Sequence, residues 1–164
     1  MKLKNIFVSF IIAFIFWILL NNTLDPMILG IGALLSLGIS LIFCARCDVF
    51  SEIKLTPAAL LYTFIYIIVF LYELIKSNLD VARRVITPSL PINPGIVEVK
   101  TRLKSKMGRM ILANSITLTP GTLTIDIVGD TLYIHWIDVQ TRDTREATEK
   151  IVRKFEKYLE KIYG

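Results

Sequence analysis

Three long apolar runs without a charge fill the first half of the chain and constrain its fold more than any other feature. They cover residues 6–20, 27–45 and 55–72. A helix needs about 20 apolar residues to cross a bilayer, and in lipid only helices or closed barrels satisfy the backbone. The second and third runs meet this length, and the first depends on its polar flanks. The sequence therefore predicts an α-helical membrane domain over residues 1–86. Its expected helices lie near 5–22, 27–45 and 57–86.

The first run has the outline of a signal peptide but lacks its cleavage site. Lys2 and Lys4 precede the run, whereas residues 17–22 at its end offer no small-residue pair for a peptidase. We therefore expect this segment to stay in the mature protein. The polar link that follows is only six residues long and ends at Pro26, so the first two helices are predicted to form an antiparallel hairpin.

Small residues recur every four positions in the second run. Gly32, Ser36 and Ser40 fall on one face of a helix with this spacing. Small side chains on a membrane helix let another helix approach closely. The alternative is simple tolerance of glycine and serine in lipid. We predict a helix-packing face.

The second half of the chain has the composition of a soluble domain. Three prolines mark residues 87–95 as a linker. From residue 76 onward there are 15 basic and 10 acidic residues, so this part carries the net charge of +5. Such an excess favours contact with anionic lipid headgroups or acidic partner subunits. The membrane tether argues against nucleic acid as a partner.

Periodic patterns over residues 96–164 predict a small basic α+β domain of β-α-β-β-α order. In chain order, the elements are a strand at 97–103, a helix at 107–114, strands at 123–127 and 132–136, and a helix at 147–162. Gly129 and Asp130 supply a hairpin turn signal between the last two strands. Asp143 and Glu146 can cap the start of the final helix. A three-stranded sheet with two helices on one face satisfies this order.

The alternation of the hairpin strands also predicts its buried face. The expected inward residues, packed against Ile151 and Phe155, are Leu123, Ile125, Ile127, Leu132, Ile134 and Trp136. In the competing arrangement Tyr133 and His135 point inward, and Trp136 is an interfacial or partner contact.

Neither cysteine nor histidine suggests a metal or catalytic site. Cys44 and Cys47 form a C-x-x-C pair, but a structural zinc or iron-sulfur site normally has four ligands. Two apolar side chains one turn apart are expected, and a reversible redox pair is the alternative. His135 is the only histidine, expected to be a hydrogen-bonded strand residue or, alternatively, a pH-responsive contact. We expect no catalytic residues, metal or cofactor.

A ten-residue motif carries a resemblance to a known family. It reads Ala-Asn-Ser-Ile-Thr-Leu-Thr-Pro-Gly-Thr over residues 113–122, and Asp126 and the stretch His-Trp-Ile-Asp at 135–138 follow it. With the apolar first half and basic tail, the whole chain resembles the E subunit of Mrp-type multisubunit cation/proton antiporters. The same subunit family occurs in the antiporter-like modules of membrane-bound hydrogenases and sulfur reductases.

The resemblance implies a small non-catalytic accessory subunit in the plasma membrane, without a cofactor, among larger hydrophobic subunits that conduct the ions. The residues point the same way, because a proton or cation relay needs ionisable groups at membrane depth and the three runs contain none before Glu73. A free-standing membrane-anchored adaptor or regulatory protein with a basic lipid- or ligand-binding tail is the alternative function.

The motif itself is a candidate docking loop. Its proposed members are Asn114, Thr117, Thr119, Pro120, Gly121 and Thr122. A rigid loop with several hydroxyls could dock on a partner near the membrane surface. Alternatively, it is an internal turn whose hydroxyls bind the backbone of the tail itself.

The charges that flank the apolar runs do not decide how the chain is oriented in the membrane. With three spans, Lys2, Lys4, Arg46 and Lys54 lie on one side, and three basic residues lie close to the membrane on the other. The absence of cysteine from the tail favours a reducing compartment, so we expect a cytoplasmic tail. A first segment that does not span fully would also resolve the conflict.

Overall fold

The computed structural model describes residues 2–44, 52, 54 and 56–164. Contacts group the chain into two compact units, Met1–Ile53 and Lys54–Gly164, and each is described by itself. Cys47 lies outside the described residues, and of Cys44 only the backbone is described. The roles predicted for the C-x-x-C pair therefore stay predictions.

The first unit contains a hairpin of two apolar helices, α1 (Lys2–Asn21) and α2 (Pro26–Cys44). Asp25 starts α2, because its Oδ1 accepts a hydrogen bond of 2.8 Å from the backbone N–H of Met27. The indole Nε1 of Trp17 in α1 donates to the carbonyl oxygen of Ile28 in α2 at 3.0 Å. The predicted hairpin is confirmed, and its helices end within a few residues of the predicted bounds.

The second unit begins with the 30-residue helix α3 (Pro57–Ile86). Thr56 caps its start by accepting from the N–H of Ala59 at 3.2 Å, and Pro57 occupies the first turn, where it costs no hydrogen bond. The helix ends just before Thr87 and Pro88, since the residue before a proline disfavours helical geometry. In the described residues, α1, α2 and α3 are the three helices long and apolar enough to cross a membrane.

The tail is a three-stranded antiparallel sheet with helices, as predicted. Its elements are β1 (Gly95–Lys100), α4 (Lys106–Leu118), β2 (Thr122–Val128), β3 (Thr131–Trp136), α5 (Thr144–Ile151) and α6 (Arg153–Tyr163). The strand order is β1-β3-β2. Gly129 makes the hairpin turn with φ of +63°, and Asp143 caps α5 as expected. The final helix is broken at Val152 into two pieces rather than continuous.

The core lies between one face of the sheet and the helices. Its largest fully buried side chains are Phe155, Leu112, Ile116, Leu132, Ile134 and Leu159. Trp136 packs against this core, and so do Tyr62 and Phe70 of α3, while Tyr66 of α3 belongs to it. The predicted linker at 87–95 separates α3 from the tail in sequence, but the packing of these aromatic residues joins them in one unit.

The predicted inner face is correct for β3 and wrong for β2. Leu132 and Ile134 are buried, whereas Leu123 and Ile125 are 49% and 52% exposed and Ile127 is also exposed. The register shifts between Thr124 and Asp126, so β2 does not keep simple alternation. Thr124 rather than a large apolar residue stands opposite Ile134, and Leu123 stands opposite His135 on the outer face.

Candidate functional site

The small-residue face of α2 packs closely within the hairpin. A Cβ atom built on Gly32 would lie 2.2 Å from Cδ1 of Trp17, so only glycine leaves room for this indole. Ser36 and Ser40 are buried, and Oγ of Ser40 donates to the carbonyl oxygen of Ser36 at 2.7 Å. At Gly32 the neighbour is thus α1 of the same chain. Packing of this face on another subunit stays a prediction.

The candidate docking loop is shorter than the sequence suggested. Helix α4 runs through Leu118, so Asn114 and Thr117 lie in a helix and only residues 119–121 form the turn into β2. Both helical residues are exposed, while Thr119 is buried. Ser105 caps this helix at its start by accepting from the N–H of Gly108 at 2.9 Å.

The threonine hydroxyls of the motif bind the backbone of the tail itself. Oγ1 of Thr119 donates to the carbonyl oxygen of Ser115 at 2.6 Å, and Oγ1 of Thr122 donates to that of Ile116 at 2.7 Å. These bonds satisfy carbonyl groups that the end of a helix leaves without partners. Oγ1 of Thr117 accepts from the N–H of Thr124 at 3.1 Å and so anchors β2.

Gly121 completes the turn with φ of +93°, which side chains rarely adopt. A Cβ atom there would also lie 3.0 Å from Cγ2 of Ile137. The carbonyl oxygen of Gly121 accepts from the N–H of Ile137 at 2.8 Å. The Pro-Gly pair therefore joins the motif to the segment that follows β3.

The inner side of the motif contacts α3. Oγ of Ser115 donates to the carbonyl oxygen of Ile111 at 2.7 Å and is also hydrogen-bonded to the hydroxyl of Tyr66. The ring of Tyr66 meets that of Phe155 edge-on, with centroids 6.4 Å apart. The motif therefore packs on α3 of its own chain. Sequence analysis did not identify this contact.

Ion pairs join the second half of α3 to the tail. Nζ of Lys154 lies 2.9 Å from Oε2 of Glu73, and Nη1 of Arg84 lies 2.8 Å from Oδ2 of Asp138. Nε of Arg84 also pairs with Asp80 at 2.8 Å. Sequence analysis missed these pairs. The available signal was helical spacing, which places Tyr62, Tyr66, Phe70, Glu73, Ser77 and Arg84 on one face of α3.

A cleft of about 520 Å³ lies between the second half of α3 and the tail. Its walls are the motif turn at residues 119–122, the end of β3, and the basic side chains of Lys76, Lys150 and Lys154. Across the described ranges, no three His, Cys, Asp or Glu side chains are grouped to hold a metal ion. His135 lies on the outer face of the sheet between Ile96 and Leu123.

The polar groups of this region hold α3, the motif turn and the tail together. Apolar helices together with a small basic α/β domain define a membrane protein with a folded soluble part. A family described as "MNHE: Na+/H+ ion antiporter subunit" matches residues 10–162, and the chain belongs to this family.

Relatives of known identity match over nearly their whole length. The Na(+)/H(+) antiporter subunit E1 of Staphylococcus haemolyticus is 34% identical over 92% of this chain and 96% of its own. The subunit E1 of Staphylococcus aureus strain bovine RF122 is 34% identical over 89% of this chain and 93% of its own. The resemblance found in the motif is therefore confirmed.

A solved structure matches both in sequence and in fold. It is a chain of the membrane-bound sulfane sulfur reductase, an archaeal respiratory membrane complex. That chain is 47% identical, with a TM-score of 0.84, and the match covers 95% of this chain and 97% of that one. The predicted function is confirmed at this level: the chain is an accessory subunit of a multisubunit antiporter or of the related module in a membrane-bound redox complex.

Proposed function

We propose that the chain works in the antiporter-like module of a membrane-bound redox complex rather than in a stand-alone antiporter. The observation that carries this choice is the 47% identity to the subunit of the sulfane sulfur reductase, against 34% to the antiporter subunits. All of these matches cover at least 89% of this chain, so a difference in aligned length does not explain the difference in sequence identity.

Its role there is structural, without an active site of its own. Residues 5–24 and 26–45 contain no Asp, Glu, Lys, Arg or His, so α1 after Lys4 and all of α2 offer no charged group for a proton or cation relay. The hydroxyls of Thr119 and Thr122 donate hydrogen bonds to backbone carbonyl oxygens of α4. The chain would hold or shape neighbouring subunits that conduct the ions.

Two surfaces are proposed to meet those neighbours. In the hairpin, the face of Gly32, Ser36 and Ser40 would hold α1 and α2 close together, and the two helices would meet a neighbouring subunit as one unit. In the tail, the docking side of the motif would be its exposed residues Asn114 and Thr117, with the turn at 119–122 holding them in position. The tail would lie in the cytoplasm, below the plasma membrane, in contact with anionic lipid headgroups and without nucleic acid.

Purification tests the choice of complex. The chain, extracted from its native membrane in mild detergent, should co-purify with several hydrophobic subunits and with soluble redox subunits. Companions limited to hydrophobic antiporter subunits would overturn the redox assignment but keep the family role. Elution of the chain alone, with the other subunits intact in a separate peak, would favour a free-standing adaptor.

Reconstitution tests the structural role. In liposomes, the chain alone should show no flux that depends on a sodium or pH gradient, because it has no relay at membrane depth. The intact complex in matched liposomes is the positive control. Reproducible flux by the isolated chain above that of empty liposomes would contradict the proposal.

A further inference from the structure

The tail covers one face of α3 over a length comparable to a membrane crossing. The contacts begin at Tyr62 and Tyr66, which pack on the core, and end at Arg84, which pairs with Asp138. At 1.5 Å per residue, this stretch is roughly 33 Å long. The hydrocarbon core of a bilayer is about 30 Å thick. A vertical α3 would therefore carry the tail into the membrane with it.

The tail is not built for hydrocarbon. Phe155 of α6 contacts both Tyr66 and Phe70, with ring centroids 6.4 Å apart in each case. The same helix exposes Lys157 and Lys161. Charged side chains are strongly disfavoured in the centre of a bilayer. If Tyr66 lay at membrane depth, these lysines would lie there too.

The other face of α3 is an exposed apolar stripe. Its members recur at helical spacing and are Leu60, Phe64, Ile67, Ile68, Leu71, Ile75 and Leu79. At 100° per residue, the exposed Lys76 and Arg83 fall at one edge of this stripe. In the part of the chain that the structure describes, neither makes an ion pair. Apolar side chains flanked by basic heads are typical of a helix lying on an anionic bilayer.

We propose that α3 lies along the membrane surface, with its apolar stripe in the boundary between headgroups and acyl chains and the tail on its aqueous side. The chain then crosses the bilayer with α1 and α2 only. Lys76 and Arg83 contact phosphate groups of anionic lipids at the edge of the stripe. This inference goes beyond the accessory role, because it applies to either kind of complex.

The charges that flank the helices support this arrangement independently. With two crossings, Lys2, Lys4, Arg46 and every basic residue after it lie on one side of the membrane. The turn at residues 22–25 is alone on the other side and contains no Lys or Arg. The positive-inside rule, which gives no decision for three crossings, then places the tail in the cytoplasm.

Cysteine labelling tests the number of crossings. In the full chain with Cys44 and Cys47 changed to serine, single cysteines are introduced as Ala58→Cys and Ser89→Cys at the two ends of α3. Leu24→Cys in the hairpin turn is the sidedness control. With a membrane-impermeant maleimide on sealed vesicles, Ala58→Cys and Ser89→Cys should react from the same side, and Leu24→Cys from the opposite one. Reaction of Ala58→Cys and Ser89→Cys from opposite sides would overturn the proposal.

Spin labels distinguish a lipid surface from a partner subunit on the stripe. Labels at positions 60, 71 and 79 of the complete complex, in vesicles of phosphatidylglycerol and phosphatidylcholine, should collide with dissolved oxygen and report one shallow depth. A vertical helix would instead change depth by roughly 1.5 Å per residue. Low collision with both oxygen and a polar reagent would mean that protein covers the stripe, which also overturns the proposal. Neither result depends on which complex contains the chain.

Discussion

Nη1 of Arg84, near the end of α3, lies 2.8 Å from Oδ2 of Asp138, which follows β3. The same guanidinium donates from Nη1 to the carbonyl oxygen of Pro91 at 2.7 Å and from Nε to Oδ2 of Asp80 at 2.8 Å. One side chain, 17% exposed, therefore binds the helix, the linker and the sheet at once. The planar fork of an arginine suits several acceptors in different directions, which a lysine cannot match.

Arg84→Lys should loosen the linker between α3 and β1. The ammonium group can keep one acceptor but not all three, and each lost bond to a charged group contributes roughly 1–3 kcal/mol. We expect faster proteolytic cleavage over residues 87–94 and a lower melting temperature of the tail. The matched control is Arg83→Lys, one position away and exposed. Equal cleavage rates for the two variants would mean that Arg84 does not fix the linker.

Glu156→Ala should be among the most damaging single changes in the tail. This carboxylate is fully buried, accepts from Oγ1 of Thr101 at 2.5 Å and from the N–H of Arg102 at 2.7 Å, and pairs with Arg153. Removing one partner of a buried charged network typically costs about 3–5 kcal/mol. The tail should become protease-sensitive in the full chain, as limited digestion would show.

An exposed acid that pairs with the same arginine provides the comparison for Glu156. Glu149 also pairs with Arg153, at 3.2 Å, but its side chain is 61% exposed. Exposed pairs contribute about 0–1 kcal/mol. Glu149→Ala should therefore leave digestion almost unchanged, and a similar loss in both variants would contradict the importance of burial.

Local patterns in the sequence were sufficient for most elements. The limits of α3, the turn at Gly129 and the cap at Asp143 each depend on neighbouring residues, so they could be predicted. The inner face of β2 could not be predicted, because the register shift after Thr124 changes which side chains face the helices. A bulge depends on the partner strand, which the sequence of β2 alone does not show.

The packing of α3 on the tail could not be predicted from the sequence, for a different reason. Apolar residues on both faces of its first half give the composition of a membrane span, whether the neighbour is lipid or protein. Only the structure shows that Tyr66 and Phe70 pack on Phe155 while Leu60 and Phe64 stay exposed. The ion pairs of Glu73 and Arg84 connect residues far apart in the chain, which periodicity cannot pair.

Phe155→Ala should destabilise the second unit more than Trp136→Ala. Phe155 is fully buried and contacts two rings of α3, whereas Trp136 is half-buried beside the core. Removing a buried aromatic ring costs about 3–5 kcal/mol. The two variants are compared by heating the full chain in detergent and measuring, by protease digestion, the temperature at which the tail unfolds. Leu123→Ala on the exposed face of β2 should have little effect on stability. A loss of stability as large as that of Phe155→Ala would mean that Leu123 faces the core, as the sequence predicted.

Gly32→Ala should weaken the hairpin, because the added methyl group cannot coexist with the indole of Trp17. The built Cβ lies 2.2 Å from Cδ1 and 2.4 Å from Nε1 of Trp17, so the ring must move and its hydrogen bond to Ile28 is strained or lost. Overpacking of this kind typically costs about 1–3 kcal/mol. The measurement is recovery of the intact complex at increasing detergent concentration, which should fall in the variant.

Gly38→Ala is the matched control for Gly32→Ala, since it adds the same methyl group to the same helix. Apart from its chain neighbours and the backbone of α2 itself, no atom of the described structure lies within 4 Å of the Cβ built there, so the substitution meets open space on the hairpin. Recovery of the complex with Gly38→Ala should equal that of the wild type if the helix surface at that position faces lipid. Ser36→Leu adds a larger side chain at a buried position and should reduce recovery as Gly32→Ala does. Normal recovery with both Gly32→Ala and Ser36→Leu would show that close packing of this face is not needed for assembly.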